Sequence, residues 1–358
     1  MYKNYIVSLS WGFFAIFHEG SSIFLCKFDK TWKESEVLLK DTTANFHISI
    51  DDDSVYVISQ NIDGFVSKTV ISKGYYYKKY KLLYHIGSDV SNIYNFAVSM
   101  LDRTNIIYNI QNNNEYLLFS QIIGDKNSGA ILIDKISPLA NNLYHVVNIN
   151  KRHCALFYVV NDKGVAASKT FGFREVFEDK VGLFKPVLVS HGQVLSCGYF
   201  VHDYVLHIMY SVSGLFGYSV VYKRFDNDGL SRDVVVANVA AEHFIMYIED
   251  KMLKVAIKSG GTLYVFKCDE DLLTFSQESY SNIVQNVSKA LYLSNNTEDF
   301  SVVELFVDTK MPWAILHKPE LFMLKSVELE LGEADSLPKK SGYISESDYN
   351  SFFKDIGK

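Results

Sequence analysis

Short runs rich in Val, Ile, Phe and Tyr recur from Tyr5 to Leu331, and no stretch in that span sustains apolar residues at i, i+3, i+4 and i+7. This pattern predicts strands, not helices, through the body of the chain. One unit returns repeatedly: an aromatic or apolar residue, an alternating strand, an Asp or Asn turn, and a second apolar strand. Its clearest copies are Phe46-His-Ile-Ser-Ile-Asp-Asp52 leading to Val55-Tyr-Val-Ile58, and Phe96-Ala-Val-Ser-Met-Leu-Asp102 leading to Ile106-Ile-Tyr108. The turn acid accepts hydrogen bonds from nearby backbone N–H groups and tolerates turn dihedrals, so it closes one strand and opens the next.

Weaker copies start at Tyr144, Cys197, Phe244 and Val302, each six residues before Asn150, Asp203, Asp250 and Asp308. The opening segment Tyr5 to Phe17 fits the same frame, with Trp11 in place of the turn acid. The anchors Tyr5, Phe46, Phe96, Tyr144, Cys197, Phe244 and Val302 are thus spaced by 41, 50, 48, 53, 47 and 58 residues. Two further strand-like runs follow each hairpin, for example Phe65 to Ile71 and Tyr76 to Ile86, or Tyr116 to Ile123 and Ala130 to Ile136. A four-stranded unit repeating at this spacing resembles a β-propeller blade, whose faces are buried only by neighbouring blades. The resemblance implies an all-β, seven-bladed β-propeller of four-stranded antiparallel blades over residues 1–331. Tandem sandwiches or a right-handed β-helix would show similar hairpins. The seventh unit offers Val302 to Val307, Pro312 to His317 and Leu321 to Leu331 but no clear fourth strand, which leaves six or eight blades open. Neither the WD dipeptide nor the kelch glycines are present, so the resemblance is one of architecture.

From Gly332 to Gly342 the chain turns to Gly, Glu, Asp, Pro and Lys, the composition of a linker. Ser345-Glu-Ser-Asp348 then suits a helix N-terminus, with Ser345 as cap and acids in the first turn. Tyr349, Phe352, Phe353 and Ile356 form the apolar face of the short helix this predicts. So short a helix needs a surface to dock on, either the propeller itself or another protein. The expected organisation is a propeller at 1–331 and a linker with a short C-terminal helix at 332–358.

Composition narrows the chemistry. Of 358 residues, 48 % are hydrophobic and 21 % charged, which excludes the disorder signature. A net charge of −6 argues against a chain devoted to neutralising phosphates, so no nucleic-acid partner is expected. The four cysteines, Cys26, Cys154, Cys197 and Cys268, form no C-x-x-C pair, and a reducing compartment is the simpler reading. Tyr5 to Phe17 lacks a small-x-small cleavage site and is followed by His18-Glu19-Gly20, which argues against a signal peptide. No apolar run approaches the ~18 residues of a membrane span. The chain is therefore expected in the cytoplasm, or in a particle assembled there, with no membrane partner.

Nucleotide, nucleophile-elbow and zincin motifs are all missing from the sequence, and neither a cofactor nor a metal is expected. His202-Asp203 with His207 approaches a metal constellation across a hairpin but lacks a third ligand. Asp226-Asn-Asp-Gly229 resembles the start of a calcium loop and is equally well explained as a hairpin turn. Asp51-Asp52-Asp53 reads as a solvated turn. Tyr75, Tyr76, Tyr77, Lys78, Lys79 and Tyr80 interleave aromatic and basic groups able to stack on sugars; the same run suits the outermost strand of the second unit, its lysines discouraging edge pairing. The function expected from these features is a non-enzymatic interaction or structural module binding a protein or surface glycan within a larger assembly. Lysine outnumbers arginine 30 to 5, an A/T-type coding bias that suggests a phage tail or baseplate accessory as one context. The alternative is a glycosidase or lyase with acids at the propeller channel.

Overall fold

The computed structural model describes residues 4–315 except 30, 52–53, 74–75, 84–92, 101–103, 113–114, 123–128, 138–143, 151–152, 162–168, 178–179, 191–192, 215–216, 250, 270–273, 283–286, 295–302 and 309–313. The described residues are strands and turns, without a helix. Sheet one opens with β1 (Asn4–Leu9), β2 (Gly12–Glu19), β3 (Ser22–Asp29), β4 (Thr31–Trp32) and β5 (Glu36–Lys40). Sheet two holds β6 (Thr42–Asp51), β7 (Ser54–Asn61), β8 (Val66–Ser72) and β9 (Tyr76–Leu83). Sheet three holds β10 (Ile93–Met100), β11 (Thr104–Asn112), β12 (Glu115–Ile122) and β13 (Ile131–Ile136). Sheet four holds β14 (Tyr144–Asn150), β15 (His153–Asn161), β16 (Lys169–Phe177) and β17 (Lys185–Ser190). Sheet five holds β18 (Gln193–His202), β19 (Val205–Gly214), β20 (Gly217–Asp226), β21 (Gly229–Leu230) and β22 (Val234–Ala237). Sheet six holds β23 (His243–Glu249), β24 (Met252–Ser259), β25 (Thr262–Cys268) and β26 (Phe275–Asn282). The last strands, β27 (Val287–Ser294), β28 (Val303–Asp308) and β29 (Ala314–Ile315), return to sheet one.

First strands of successive sheets pack on one another, β6 on β10, β10 on β14, β14 on β18 and β18 on β23, and β23 meets β28. The ring closes where β27 pairs in parallel with β1, Tyr5 opposite Leu291 and Ser8 opposite Ser294. The chain is an all-β, six-bladed β-propeller.

This corrects the expectation of seven four-stranded antiparallel blades. The first six anchors each lie in the first strand of a sheet, as the repeat predicts. Val302 does not: it immediately precedes β28, and the strand before it, β27, hydrogen-bonds to β1 instead of starting a separate blade. The two chain ends therefore merge into one eight-stranded sheet that includes a parallel pair, beside four sheets of four strands and one of five. The physical reason is the closing seam. The last segment pairs with β1 and completes the first sheet, so the two chain ends hold one blade together in place of founding a seventh. The C-terminal helix expectation, with Tyr349, Phe352, Phe353 and Ile356, lies outside the described residues.

Alternation along each strand explains how both faces are buried. On β15, Leu156 and Tyr158 pack with Ile107, Leu118 and Ile136 of sheet three, while Ala155, Phe157 and Val159 pack with Tyr199, Ile208 and Tyr210 of sheet five. On β1, Tyr5, Val7 and Leu9 face sheet two, whereas Ile6 joins the core shared with sheets five and six. Each such large side chain contributes roughly 1.5–3 kcal/mol by leaving water, so no sheet could stand alone. Polar ties reinforce the wedges. Arg174 of sheet four donates from Nη2 to Asp134 Oδ2 of sheet three at 3.0 Å, from Nε to Tyr158 Oη at 2.6 Å, and from Nη1 to the Gly182 carbonyl at 2.9 Å.

Candidate functional site

The first strands mix apolar residues with uncharged polar ones, and ionisable groups are few among them. His145 follows anchor Tyr144 on β14, Cys197 and Tyr199 lie on β18, His243 precedes anchor Phe244 on β23, Lys289 lies on β27 and Glu304 on β28. These residues come from four consecutive sheets. The register brings Lys289 and Glu304 together: Lys289 is opposite Phe306 and Leu291 is opposite Glu304, so the two are diagonal neighbours on one face, within reach of long side chains. Lys289 Nζ donates to Glu304 Oε1 at 3.1 Å and Oε2 at 3.0 Å, and it also lies 5.5 Å from the centre of the Phe244 ring.

Gly198 makes this approach possible. A Cβ there would stand 2.8 Å from Phe244 Cε2 and 3.4 Å from Glu304 Oε2, so a side chain would displace the ring beside the carboxylate. On the other face of β18, Tyr199 stacks on Phe157 at 4.0 Å between ring centres and sits 5.3 Å from the His145 ring.

Burial governs the electrostatics. It pushes Lys289 down to about 7 and Glu304 well above the ordinary carboxylate range. The pair shares one proton in either arrangement, amine with carboxylic acid or ammonium with carboxylate, and the contact survives both. Burial, with the Lys289 charge nearby, holds both His145 and His243 below the ordinary histidine value. Burial raises the Cys197 thiol to about 12 and holds the neighbouring Tyr199 phenol well above its ordinary value, so neither is a nucleophile at neutral pH. The arrangement can hold or release protons and present cationic groups. Glu304 is engaged by Lys289, and a pair of free carboxylates is not found beside it among the described residues.

The residues singled out from sequence fall elsewhere. Tyr76, Tyr77, Lys78, Lys79 and Tyr80 lie on β9, the fourth strand of sheet two, with Tyr77 opposite Ile71 and Tyr80 opposite Lys68; Tyr75 lies outside the described residues. His202 and His207 flank the β18–β19 hairpin but are separately engaged, His202 Nε2 with Asp203 Oδ2 at 3.3 Å and His207 Nδ1 with Tyr222 Oη at 2.8 Å. Among the described residues no group of three or more His, Cys, Asp or Glu is placed to hold a metal. Asp226 opens the β20–β21 turn, accepting from the Asp228 N–H at 3.0 Å, and Gly229 adopts φ +99. Of the acidic run, Asp51 ends β6 opposite Ser54, and 52–53 lie outside the described residues. Sequence reasoning missed the inner cluster because its members are spread from 145 to 304. For His145, His243 and Glu304 the available signal was a charged or imidazole side chain within two residues of an anchor; Lys289 stands well away from any anchor and offered none.

No family model matches the chain, and no curated protein does. Solved structures with a similar fold include AofleA from Arthrobotrys oligospora, at 11 % identity and TM-score 0.44 over 79 % of this chain and 86 % of that one. The fungal lectin of Aleuria aurantia, a six-bladed β-propeller with a fucose recognition mode, is similar at 9 % identity and TM-score 0.44, covering 78 % of this chain and 94 % of the lectin. A polysaccharide lyase acting on ulvan is similar at 7 % identity and TM-score 0.46, covering 90 % and 94 %.

Proposed function

We propose that the protein is a non-enzymatic binding module that presents its outer strands and turns to a protein or a surface glycan within a larger assembly. The observation that supports this reading is the placement of exposed apolar side chains. Val37 on β5, Ile131 and Leu132 on β13, Val189 on β17, Val235 on β22 and Tyr280 on β26 are all exposed, so five of the six sheets offer at least one on an outer strand. Leu183, just ahead of β17, is 84 % exposed, and Tyr204 at the β18–β19 turn is 81 % exposed. Large apolar groups repeated around a rim are what a partner surface would cover. The buried Lys289 and Glu304, by contrast, are engaged with each other.

Within this reading the partner assembly is a phage tail or baseplate, a placement that rests on the lysine-rich coding bias. The test is a glycan array and a pull-down from the native source, run with the full chain, with Leu183→Asp/Val189→Asp, and with a chain ending at Gly332. Loss of a specific partner in the rim variant supports the reading. Full retention of that partner in both variants, or turnover of a glycan without retention, would overturn it.

A further inference from the structure

One end of sheet five brings two hairpin turns side by side. β18 and β19 are joined through Asp203-Tyr204, between the paired residues His202 and Val205, and β20 and β21 through Asn227-Asp228, between the paired Asp226 and Gly229. Leu206 stands opposite Phe225, so one step further along each strand Val205 comes beside Asp226. Both turns therefore leave the sheet at the same end, from strands ~5 Å apart. Tyr204 is 81 % exposed, the Asp203 side chain 82 %, and Asn227 and Asp228 are exposed as well. Neither packing nor turn preference accounts for an aromatic residue at 204. Asp203 and Tyr204 take φ +48 and +62, the doubly left-handed turn that Asn-Gly forms at least cost, and a residue with a Cβ is disfavoured there. The exposed ring gains almost no burial to offset that cost, and backbone strain of this kind persists where a function uses it. The turns are also held in place before any ligand arrives. The His202–Val205 pair closes the first, Asp203 Oδ2 lies 3.3 Å from His202 Nε2, and in the second the Asp228 N–H donates to Asp226 Oδ1 at 3.0 Å.

We propose that the paired turns of sheet five form a binding site for a neutral sugar ring, stacked on Tyr204 and hydrogen-bonded through its hydroxyls to Asp203, Asn227 and Asp228. This rests on the binding-module reading and selects the glycan within it. The C–H face of a pyranose, polarised by its hydroxyls, meets the electron-rich face of the phenol ring. Sugar hydroxyls donate to the two carboxylates and accept from the Asn227 amide, and the charged acceptors make the stronger bonds. A protein partner suits this place less well, because the cores of protein interfaces are depleted in Asp, whereas here two exposed Asp side chains flank Tyr204. Charge selects among sugars. Two carboxylates face the ligand at the turns, and the neighbouring Arg224 is committed to Asp226, Nε to Oδ2 at 3.2 Å, so a uronate or sulfated sugar is repelled where a neutral one is not.

The experiment presents neutral hexose oligosaccharides and their uronate counterparts to the full chain, first on an array and then in solution by calorimetry, for the parent, Tyr204→Phe and Tyr204→Gly. A neutral oligosaccharide should bind and its uronate counterpart should bind more weakly. Tyr204→Phe keeps a stacking ring and should keep the affinity. Tyr204→Gly relaxes the turn, so it should fold, and it should lose about tenfold in affinity. Binding of no neutral sugar, equal or tighter binding of the uronate, or unchanged affinity in Tyr204→Gly would each overturn the site. The binding-module reading survives any of these results as long as the pull-down yields a partner that the Leu183→Asp/Val189→Asp variant loses, so the two fail separately.

Discussion

Acidification should unfold this protein well before its carboxylates protonate, and His207 supplies the magnitude. The ring is 5 % exposed, its Nδ1 shares a 2.8 Å hydrogen bond with Tyr222 Oη, and burial lowers its pKa from 6.5 to about 3. A histidine whose pKa is depressed in the fold binds its proton more readily when unfolded. Its contribution is fully present above pH 6.5 and is lost as pH falls toward the folded value. At pH 5 the unfolded group lies about 1.5 units below its own pKa, which at ~1.4 kcal/mol per unit removes about 2 kcal/mol. His47, lowered to about 4 by burial, acts in the same direction, and His145, His153 and His243 are lowered as well. The Lys289–Glu304 pair adds little over this window, because it holds one proton in the fold and one when unfolded. Against a typical domain stability of ~5–15 kcal/mol, two such histidines alone are a large fraction. Urea unfolding followed by circular dichroism at pH 8, 7, 6 and 5 would measure the loss. His207→Gln, which can keep a bond to Tyr222, should reduce the difference between pH 8 and pH 5 by about 2 kcal/mol. A variant with the same pH dependence as the parent would show that His207 accepts its proton inside the fold, and the burial argument would fail.

Other consequences are equally measurable. Tyr204 takes φ +62 beside Asp203 at φ +48, a turn that favours Asn-Gly, so Tyr204→Gly should stabilise the fold by about 1 kcal/mol in thermal unfolding while weakening any partner that stacks on the ring. Gly198→Val should cost about 1–3 kcal/mol by driving a side chain into Phe244, and a neutral result would mean that β18 can shift away from sheet six. Arg174→Met removes the guanidinium bonds to Asp134 and Tyr158 and leaves the 2.9 Å bond from Tyr158 Oη to Asp134 Oδ2 as their remaining link between sheets three and four; a loss of roughly 1–3 kcal/mol is expected in chemical denaturation. Ile131→Asp on the exposed part of β13 should change the melting temperature by no more than about 2 °C, since the side chain is 61 % exposed and leaves no cavity.

The strand content, the hairpin turns and six of the repeat boundaries were legible in the residues themselves. Alternation and turn chemistry are local: Phe46 to Ile58 states its hairpin without help from any other segment, and Asp226-Asn-Asp-Gly229 forms the turn that its backbone preferences specify. Placing Tyr76 to Tyr80 on an outer strand was also local, because edge lysines are a property of that strand. The number of blades was not local. It depended on whether β27 founded a sheet or joined β1, and a parallel pairing between segments nearly three hundred residues apart leaves no periodic mark in either one. The inner cluster shares that character. Lys289, Glu304 and Phe244 are unremarkable one at a time, and only the packing of sheet six on the closing strands brings them together in a place where desolvation makes the charges costly. Local free energies chose the strands; the long-range pairing of β27 with β1 chose the number of blades.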